Sequence, residues 1–468
     1  MDDTNGDTAP RSGEKPESRR AFLARSAAVT GGIAQLAGCS GSSPPSTDDS
    51  IDEQDDDDLS EPSDLIREPF DSLVDLADFG IDPEGDEPIG SILEEAAADG
   101  HLLSLPSGRY RIESPPELPD ISRFGLIGDD VTIVPSPSTE TTLFFSNNSD
   151  ATSIHLEGLA FDFTEAESFV RALDFRIPDG LVIRNVTVRG TFHSGRSPVR
   201  LDVTDSNGSG LIEGLTLPDG GASGTTVTGC LVGASSRGQL TFKDCHIEGF
   251  PDNGLYADPP AGRIVVDGGY YANSGISNIR VRGGSLVTGA HVRCDSTERE
   301  FRNMRGIRLN DYEPNPEAEP AVVKDSLIEM IDVGSSDGGI TLSSDLAKAV
   351  VRDTEIRVDV DDINAIRVKP PHDDLVTLGP SPRFWCENVS IVGEADGGAA
   401  VLIVGRDECE IDDLDVTQPA ANRDGIDFRR SRDNVLRNST LSVGGEAIVL
   451  TDSTLETENL DDGNGSMS

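Results

Sequence analysis

The sequence predicts an all-β chain folded as a β-solenoid of about 12 coils, in which short strands stack from one coil to the next. A turn signal, Asn, Asp or Gly followed three positions later by an apolar residue, recurs at intervals of about 22 to 36 residues, which is typical of solenoids. Between these signals lie short apolar-rich segments such as 181–183 and 263–266, and residues 240–242 (LTF) alternate between apolar and polar. Strands this short must stack on neighbours to be stable.

The residues of the turn signal tolerate a left-handed backbone, so each signal predicts a tight corner between two strands. The predicted corner residues are Asp130, Gly158, Asn185, Gly214, Asp244, Asp267, Gly289, Asp325, Asp353, Asn388, Asp413 and Asn438. A second signal follows each corner, where a small residue before Ile or Leu opens another strand, as at Gly254 and Gly306. Each coil therefore contains a corner, a strand, a loop of variable length and a further strand.

The start of the solenoid carries a family resemblance. Residues 76–80 (LADFG) and 105–112 (LPSGRYRI) resemble the opening of the pectate-lyase-like, right-handed parallel β-helix superfamily. In that opening, an amphipathic helix between the two motifs caps the first coil. Ile89, Ile92, Leu93, Ala96 and Ala97 fall on one helical face, as such a cap requires. The resemblance implies a right-handed parallel β-helix with a short N-terminal capping helix.

The first 39 residues are predicted to be an export signal with a lipid-attachment site. Residues 18–23 (SRRAFL) resemble a twin-arginine signal, and residues 36–39 (LAGC) resemble a lipobox, whose Cys39 would carry the lipid. The apolar run at 27–37 is too short to span a bilayer as a permanent helix. We therefore expect an exported protein that is lipid-anchored to the outer face of the cytoplasmic membrane.

The remaining chain is divided by composition. Residues 40–63 are rich in Ser, Pro and Asp, and such a segment cannot bury enough apolar surface to fold, so a solvated linker is predicted. We expect a strand–helix–strand cap at 64–120, the parallel β-helix at 121–455 and an acidic tail at 456–468.

The net charge of the chain limits the classes of partner. The formal net charge of −47, from 38 basic and 85 acidic residues, is typical of a halophilic protein surface and disfavours nucleic acid as a partner.

The cysteine content excludes the common zinc sites. Besides Cys39, five cysteines remain, an odd number without a CxxC pair, so the common zinc patterns are excluded and no metal ligand is predicted. Buried cysteines between coils are the expected arrangement.

The strands that follow the second signal present a basic column. Because side chains alternate across a strand, the residue after each inward apolar residue points outward. The outward residues are Tyr256, Asp258, Arg280, Arg282, Arg308, Asn310, Thr341, Ser343, Arg367, Lys369, Asp427 and Arg429. Six of these twelve are cationic, although acidic residues outnumber basic ones more than twofold in the chain.

A basic strip in an acidic protein attracts anionic ligands, and guanidinium groups suit carboxylates and sulfates. We therefore predict an anionic polysaccharide or surface glycan as the partner. The predicted substrate-binding residues are Arg280, Arg282, Arg308, Arg429, Tyr256 and Asp258. The alternative is that the arginines form outward salt-bridge ladders with acidic residues of adjacent coils.

A catalytic interpretation of the column is β-elimination of a polyuronate. Such a lyase removes a proton α to a carboxylate, so it needs a base and a cation that stabilises the enediolate. Similar lyases use Arg or Lys as the base, which singles out Lys369, with Arg367 as its helper. His372, Asp373 and Asp374 are secondary candidates. Some similar lyases hold Ca²⁺ with acidic residues, so Ca²⁺ is the one cofactor that the resemblance suggests.

Two other functions compete with the lyase. Residues 422–427 (NRDGID), with Asp424, and Glu446 resemble the catalytic run of polygalacturonases, but Gly445 replaces the middle acid, so a hydrolase is not predicted. A non-catalytic adhesin or scaffold that uses the solenoid as a stalk needs no convergent titratable groups. The sequence leaves open whether the protein is an enzyme, which glycan it takes, and its oligomeric state.

Overall fold

The computed structural model describes residues 70–462, apart from 117–120, 137–141, 147, 167–170, 194, 298–300, 302 and 379–381. The predicted export signal, Cys39 and the linker at 40–63 lie outside the described residues, as does the end of the acidic tail from residue 463. Among the described helices, none is long and apolar enough to cross a bilayer.

The regular secondary structure of the described chain consists almost entirely of short strands. In order they are β1 (Ser72–Asp75), β2 (His101–Leu105), β3 (Gly108–Ile112), β4 (Arg123–Pro135), β5 (Phe144–Ser146), β6 (Ser153–Asp162), β7 (Leu173–Ile177), β8 (Leu181–Arg184), β9 (Thr187–Arg189), β10 (Val199–Val203), β11 (Ser209–Glu213), β12 (Thr216–Leu217), β13 (Cys230–Leu231), β14 (Gln239–Lys243), β15 (His246–Glu248), β16 (Asn253–Ala257), β17 (Arg263–Asp267), β18 (Tyr270–Ala272), β19 (Ser277–Val281), β20 (Leu286–Thr288), β21 (His291–Asp295), β22 (Ile307–Leu309), β23 (Ala321–Lys324), β24 (Leu327–Asp332), β25 (Ile340–Leu342), β26 (Lys348–Val358), β27 (Ile366–Val368), β28 (Arg383–Val392), β29 (Ala399–Val404), β30 (Glu410–Gln418), β31 (Asp424–Arg429), β32 (Asn434–Arg437), β33 (Thr440–Val443), β34 (Ile448–Thr451) and β35 (Leu455–Glu458). The helices are a 3-10 turn at Leu76–Phe79, α1 (Gly90–Ala96) and α2 (Asp373–Leu378).

The strands form two sheets, in which each strand pairs in parallel with strands of the preceding and following coils. The narrow sheet has 12 strands, in the order β5, β7, β10, β13, β16, β19, β22, β25, β27, β29, β31 and β34. The long sheet has 23 and includes two strand segments per coil on either side of a corner. The predicted all-β parallel β-helix of about 12 coils is confirmed.

The predicted corners are present, with one correction. Eleven of the twelve predicted corner residues have positive φ, from 48° at Asp353 to 70° at Gly158. Asp267 is wrong as a corner: it is the last residue of β17, and Gly268, with φ 68°, turns the chain. The glycine supplies the left-handed residue, so the acid before it stays in the strand. Asn459, with φ 52°, extends the row of corners beyond the predicted set.

The solenoid interior is a stack of aliphatic side chains. On the narrow sheet, strand pairing places Leu255, Ile279 and Ile307 directly above one another. Ile340 and Ile366 continue the same row, and all five side chains are buried. Burying one such side chain stabilises the fold by about 1.5–3 kcal/mol, so the repeated row is a large part of what holds the coils together.

A short helix covers the N-terminal end of the described solenoid. In α1 and the residue before it, Ile89, Leu93 and Ala96 are buried, and Ile92 and Ala97 pack against the core at its edge. This is the apolar face that the sequence predicted. The five cysteines after Cys39 are all buried free thiols, and burial raises the pKa of Cys294 and Cys386 to about 12, so these thiols are protonated.

Candidate functional site

The outward surface of the narrow sheet carries the predicted column in register. Strand pairing places Tyr256, Arg280, Arg308, Thr341 and Arg367 on successive strands from β16 to β27. We call the outward surface of these five strands the narrow-sheet face. Asp258, Arg282, Asn310, Ser343 and Lys369 lie two residues further along the same strands or just beyond them.

The column is interrupted before its last predicted members. Leu402 of β29 lies between Arg367 and Asp427 in the register, so one apolar position separates them. At that end, Arg429 Nη2 donates to Asp427 Oδ2 of its own strand at 2.6 Å, and the Arg429 side chain is 53% exposed. Asp427 and Arg429 therefore form a separate ion pair rather than a continuation of the basic strip.

At the other end, the predicted substrate-binding residues neutralise one another. Arg280 Nε donates to Asp258 Oδ2 at 2.8 Å, and Asn310 Nδ2 donates to the same oxygen at 2.7 Å. The Arg280 guanidinium also lies 4.6 Å from the centroid of the Tyr256 ring, a cation–π contact. Burial raises the pKa of Asp258, although Arg280 opposes the shift. At this end of the narrow-sheet face, Arg280 forms a salt bridge with an acidic residue of the adjacent coil, which is the alternative that the sequence left open.

The two central arginines differ in exposure, because Arg308 is buried and Arg282 is half-buried. Arg308 is only 6% exposed, and its Nη2 donates to Asn310 Oδ1 at 3.2 Å. Arg282 Nη1 donates to the carbonyl of Gly262 at 2.5 Å. Arg308 therefore contributes positive charge from below the surface, where an approaching polymer does not touch it.

Cationic side chains gather at the next coils around one carboxylate. Lys369 Nζ lies 2.8 Å from Asp337 Oδ2, and Arg367 Nη1 lies 3.1 Å from Asp337 Oδ1. Arg305 donates to Asp337 Oδ2 through Nε at 2.7 Å and also through Nη2. We call these four residues the Asp337 cluster. It holds three cations against one carboxylate, and the Lys369 and Arg367 side chains remain 24% and 32% exposed.

The charges of the cluster shift the pKa values of its members. Burial alone would raise the pKa of the Asp337 carboxyl, but Arg305 and Lys369 outweigh it and hold that pKa well below its ordinary value. Burial lowers the pKa of the Lys369 ammonium; Asp337 opposes this shift, while Arg305 and Arg308 add to it. Both pKa values are therefore lowered, but the neighbouring cations favour the charged form of Asp337, whereas burial disfavours the charged form of Lys369.

Arg305 and Asp337 were missed by the sequence reasoning. The parity argument considered only residues that follow the inward apolar residue of a strand, whereas both of these precede the strand. A signal was nevertheless present, because each is followed by the small residues that open a narrow-sheet strand, Gly306 for Arg305 and Gly338 for Asp337.

A buried acid adjoins the same face. Asp311 is buried, its Oδ1 accepts the N–H of Gly283 at 2.9 Å, and its Oδ2 has no hydrogen-bond partner among the described residues. Burial raises the pKa of Asp311 to about 6, the nearby Asp258 and Asp345 add to the shift, and Arg282 opposes it. The sequence reasoning did not select this residue, because burial of a loop acid leaves no local pattern.

The secondary catalytic candidates make contacts away from the cluster. His372 Nδ1 lies 3.5 Å from a carboxylate oxygen of Asp374, and both side chains are exposed at the start of α2. In the polygalacturonase-like segment, Asp424 Oδ1 accepts the N–H of Glu446 at 2.9 Å. Asp424 therefore binds the backbone of the next coil. This structural role accounts for the similarity of residues 422–427 to the polygalacturonase segment.

The donor set of the cluster does not fit Ca²⁺. Calcium takes about 6 to 8 oxygen ligands, many of them carboxylates. In the Asp337 cluster the structure places three cationic groups around the single carboxylate of Asp337. In the described part of the chain, no group of three or more His, Cys, Asp or Glu side chains is arranged to hold a metal ion.

No protein-family model and no curated protein sequence matches the chain. Similar solved structures include the mannuronan C-5 epimerase AlgE6 A-module of Azotobacter vinelandii, at 14% identity and a TM-score of 0.47, covering 84% of this chain and 100% of that chain. The surface protein and adhesin PfbA of Streptococcus pneumoniae is similar at 12% identity and a TM-score of 0.46, covering 83% and 98%. A family 28 exopolygalacturonase of Yersinia enterocolitica is similar at 11% identity and a TM-score of 0.34, covering 84% and 78%. At these values the likeness carries no argument about activity.

Proposed function

We propose that this protein is an exported surface protein that binds anionic polysaccharide on the narrow-sheet face, at the Asp337 cluster. The observation that carries the proposal is the excess of three cations over one carboxylate in a chain whose net charge is −47. A local positive site on an otherwise negative surface concentrates anionic ligands, and guanidinium groups bind carboxylates through paired hydrogen bonds.

The cluster is favoured over the rest of the column because its charge is both uncompensated and reachable. Arg280 and Arg429 are matched by Asp258 and Asp427, and Arg308 is buried. Arg367 and Lys369 share Asp337 with Arg305, so their combined charge exceeds that of their partner. Both side chains keep part of their surface in solvent, where a ligand carboxylate can approach them.

The narrow-sheet face is long enough to contact several residues of an extended glycan. Strands of neighbouring coils lie about 4.8 Å apart, so the five strands from β16 to β27 span about 20 Å along the solenoid axis. Tyr256 lies at the far end of this span from Lys369. A linear polyuronate lying along the axis therefore meets the Asp337 cluster at one end and the Arg280–Asp258 pair at the other.

A second candidate function is β-elimination at the same cluster, and the lowered pKa of Lys369 favours it. A base must be neutral to accept a proton, and a pKa nearer to the operating pH increases its neutral fraction. In this proposal Lys369 takes the proton α to the uronate carboxylate, and Arg367 stabilises the negative charge that forms on that group. The electrons of the broken carbon–hydrogen bond then form the carbon–carbon double bond as the glycosidic carbon–oxygen bond breaks, and the departing oxygen takes a proton from water.

Export and anchoring belong to the same proposal and are supported by the sequence. The twin-arginine-like residues 18–23 and the lipobox-like residues 36–39 stand in the order that an exported lipoprotein needs. Residues 40–63 would then space the β-helix away from the lipid on Cys39.

The experiment that tests the proposal mixes the protein with polygalacturonate, alginate and a neutral dextran at a series of salt concentrations. Binding is followed by calorimetry and elimination by the ultraviolet absorbance of an unsaturated product. Binding with a rise in absorbance supports the lyase, and binding without one supports an adhesin or scaffold. No binding to either polyuronate, or equal binding to dextran, would overturn the proposed anionic-glycan site.

A further inference from the structure

Arg406 is a buried cation whose guanidinium contacts main-chain carbonyl groups. The residue is 0% exposed and lies two positions after the end of β29. Its Nε donates to the carbonyl of Lys369 at 3.0 Å, and its Nη1 donates to that of Ala347 at 2.9 Å. Its Nη2 donates to the carbonyls of Ser343 and Leu346 at 3.0 and 2.9 Å. One side chain therefore connects three successive coils.

Two of these carbonyls belong to outward residues of the candidate site. Ser343 and Lys369 each come directly after a strand of the narrow sheet, β25 and β27, whose last residues Leu342 and Val368 are paired. Lys369 is followed by Pro370 and Pro371, which carry no backbone N–H and restrict the chain. The guanidinium thus supplies a donor to the Lys369 carbonyl where the regular strand pairing ends.

The guanidinium of Arg406 is charged and fully buried, which is costly for a side chain that only fills space. Burial lowers the pKa of Arg406 to about 10, and the carbonyl dipoles are the groups that solvate the cation. A cation buried without an acidic partner is costly for a fold, and the four carbonyl groups offset that cost, so its removal would leave these carbonyls without this donor. Arg406 therefore both stabilises the fold and fixes the relative position of the segments that carry these carbonyls.

We infer that Arg406 is a positioning residue of the glycan site, which fixes the backbone of Lys369 against Ser343 and so sets where the Lys369 ammonium lies beside Asp337. This inference rests on the proposed function. Lys369 has a long, flexible side chain, and its placement relative to Arg367 depends on where its backbone leaves the end of β27. The Arg406 guanidinium donates to main-chain carbonyls, so it acts on the site through the backbone.

Arg423 provides a matched control elsewhere in the solenoid. It is also 0% exposed, and it donates to Gln418 Oε1 at 2.8 Å and to the carbonyls of Gly397 and Ile363 at 2.8 and 2.9 Å. Burial lowers its pKa to about 10 as well. Its hydrogen bonds hold the segments that precede β27 and β29, not the end of β27 that carries Lys369.

The test compares Arg406→Met and Arg423→Met with the wild type, each as the full chain. Unfolding temperatures are measured first, and polygalacturonate binding is then measured at a temperature where all three proteins are folded. We expect both variants to unfold at lower temperatures, and only Arg406→Met to lose affinity, by about tenfold, the effect of misplacing one charge-assisted hydrogen bond. Arg423→Met is expected to stay within about twofold of the wild type.

Arg406→Lys keeps the test decisive if Arg406→Met does not fold. Its ammonium can reach some of the four carbonyls, so we expect an affinity between those of the wild type and Arg406→Met. Wild-type affinity in the folded Arg406 variants, or an equal loss in Arg423→Met, would overturn the positioning role. Failure of the wild type itself to bind polygalacturonate and alginate would instead overturn the proposed function on which the inference rests.

Discussion

Lys369 Nζ lies 2.8 Å from Asp337 Oδ2, on the carboxylate that Arg305 and Arg367 also contact. This relationship gives Lys369 a fixed position and a charged partner in the resting protein. It also leaves the cluster with more positive than negative charge, so a ligand carboxylate is attracted without removal of Asp337. The same contact means that Lys369 must lose its proton beside a carboxylate before it acts as a base, which makes binding the simpler function and elimination the more demanding one.

The stability of the cluster depends on Asp337. Asp337→Asn is expected to lower the free energy of unfolding at pH 7 by about 2–3 kcal/mol, because three cations lose the anion that they share. The folded pKa of Asp337 is depressed, so its contribution is present above the unfolded pKa of about 3.9 and is lost as the pH falls through the lower folded value. Urea denaturation at pH 7 and in acid checks both expectations. An equal effect at both pH values would contradict them.

Asp311→Asn is expected to have the opposite effect. The folded pKa of Asp311 is raised to about 6, so the wild type loses stability as the pH rises from about 4 to 6 and does not recover it above that. Asparagine keeps the oxygen that accepts the N–H of Gly283 and carries no charge. We expect the variant to be more stable than the wild type at pH 8, by up to about 3 kcal/mol.

The advantage of Asp311→Asn should shrink to nothing near pH 4, where the wild-type acid is protonated as well. Asp337→Asn is the matched control, because its acid also lies on this face but Arg305 and Lys369 lower its pKa, so we expect it to destabilise the protein at pH 8. Thermal unfolding of the three proteins at pH 4 and pH 8 gives both comparisons. Destabilisation by Asp311→Asn at pH 8 would show that the ionised carboxylate is well solvated.

The lipid anchor is checked by Cys39→Ser. Because serine cannot form the thioether that attaches the lipid, the variant should leave the membrane fraction and appear in the soluble or secreted fraction. Any of the other five cysteines serves as a control, and Cys230→Ser should stay with the membrane because that thiol is buried in the β-helix. Retention of Cys39→Ser in the membrane fraction would contradict the proposed anchor.

The fold could be predicted because its constraints are local. Each corner needs a residue that tolerates positive φ, which favours Gly, Asn and Asp, and the corner recurs from coil to coil. The error at Asp267 arose where an acid and two glycines stand together and any of them fits the pattern. The parity of the strands also predicted which side chains face outward, because alternation is a property of the backbone.

The details of the site could not be predicted, because they depend on loops between strands. Arg305 and Asp337 lie about thirty residues apart and meet only because their two coils are adjacent, and Asp337 belongs to a loop whose path the pattern does not specify. The burial of Arg308 and Asp311 depends on neighbouring side chains and loops in the same way. Sequence reasoning therefore predicted which strands carry the cationic side chains in register, but not the residues that gather around Asp337.

The most direct measurement is calorimetric binding of polygalacturonate to the wild type, to Arg367→Met with Lys369→Met, and to Arg429→Met. Arg429 is exposed and paired within its own strand, so its variant controls for the loss of a surface charge away from the cluster. We predict that the double variant loses at least about tenfold in affinity and that Arg429→Met stays within about twofold. Equal affinity of the wild type and the double variant would contradict the assignment of the Asp337 cluster as the glycan site.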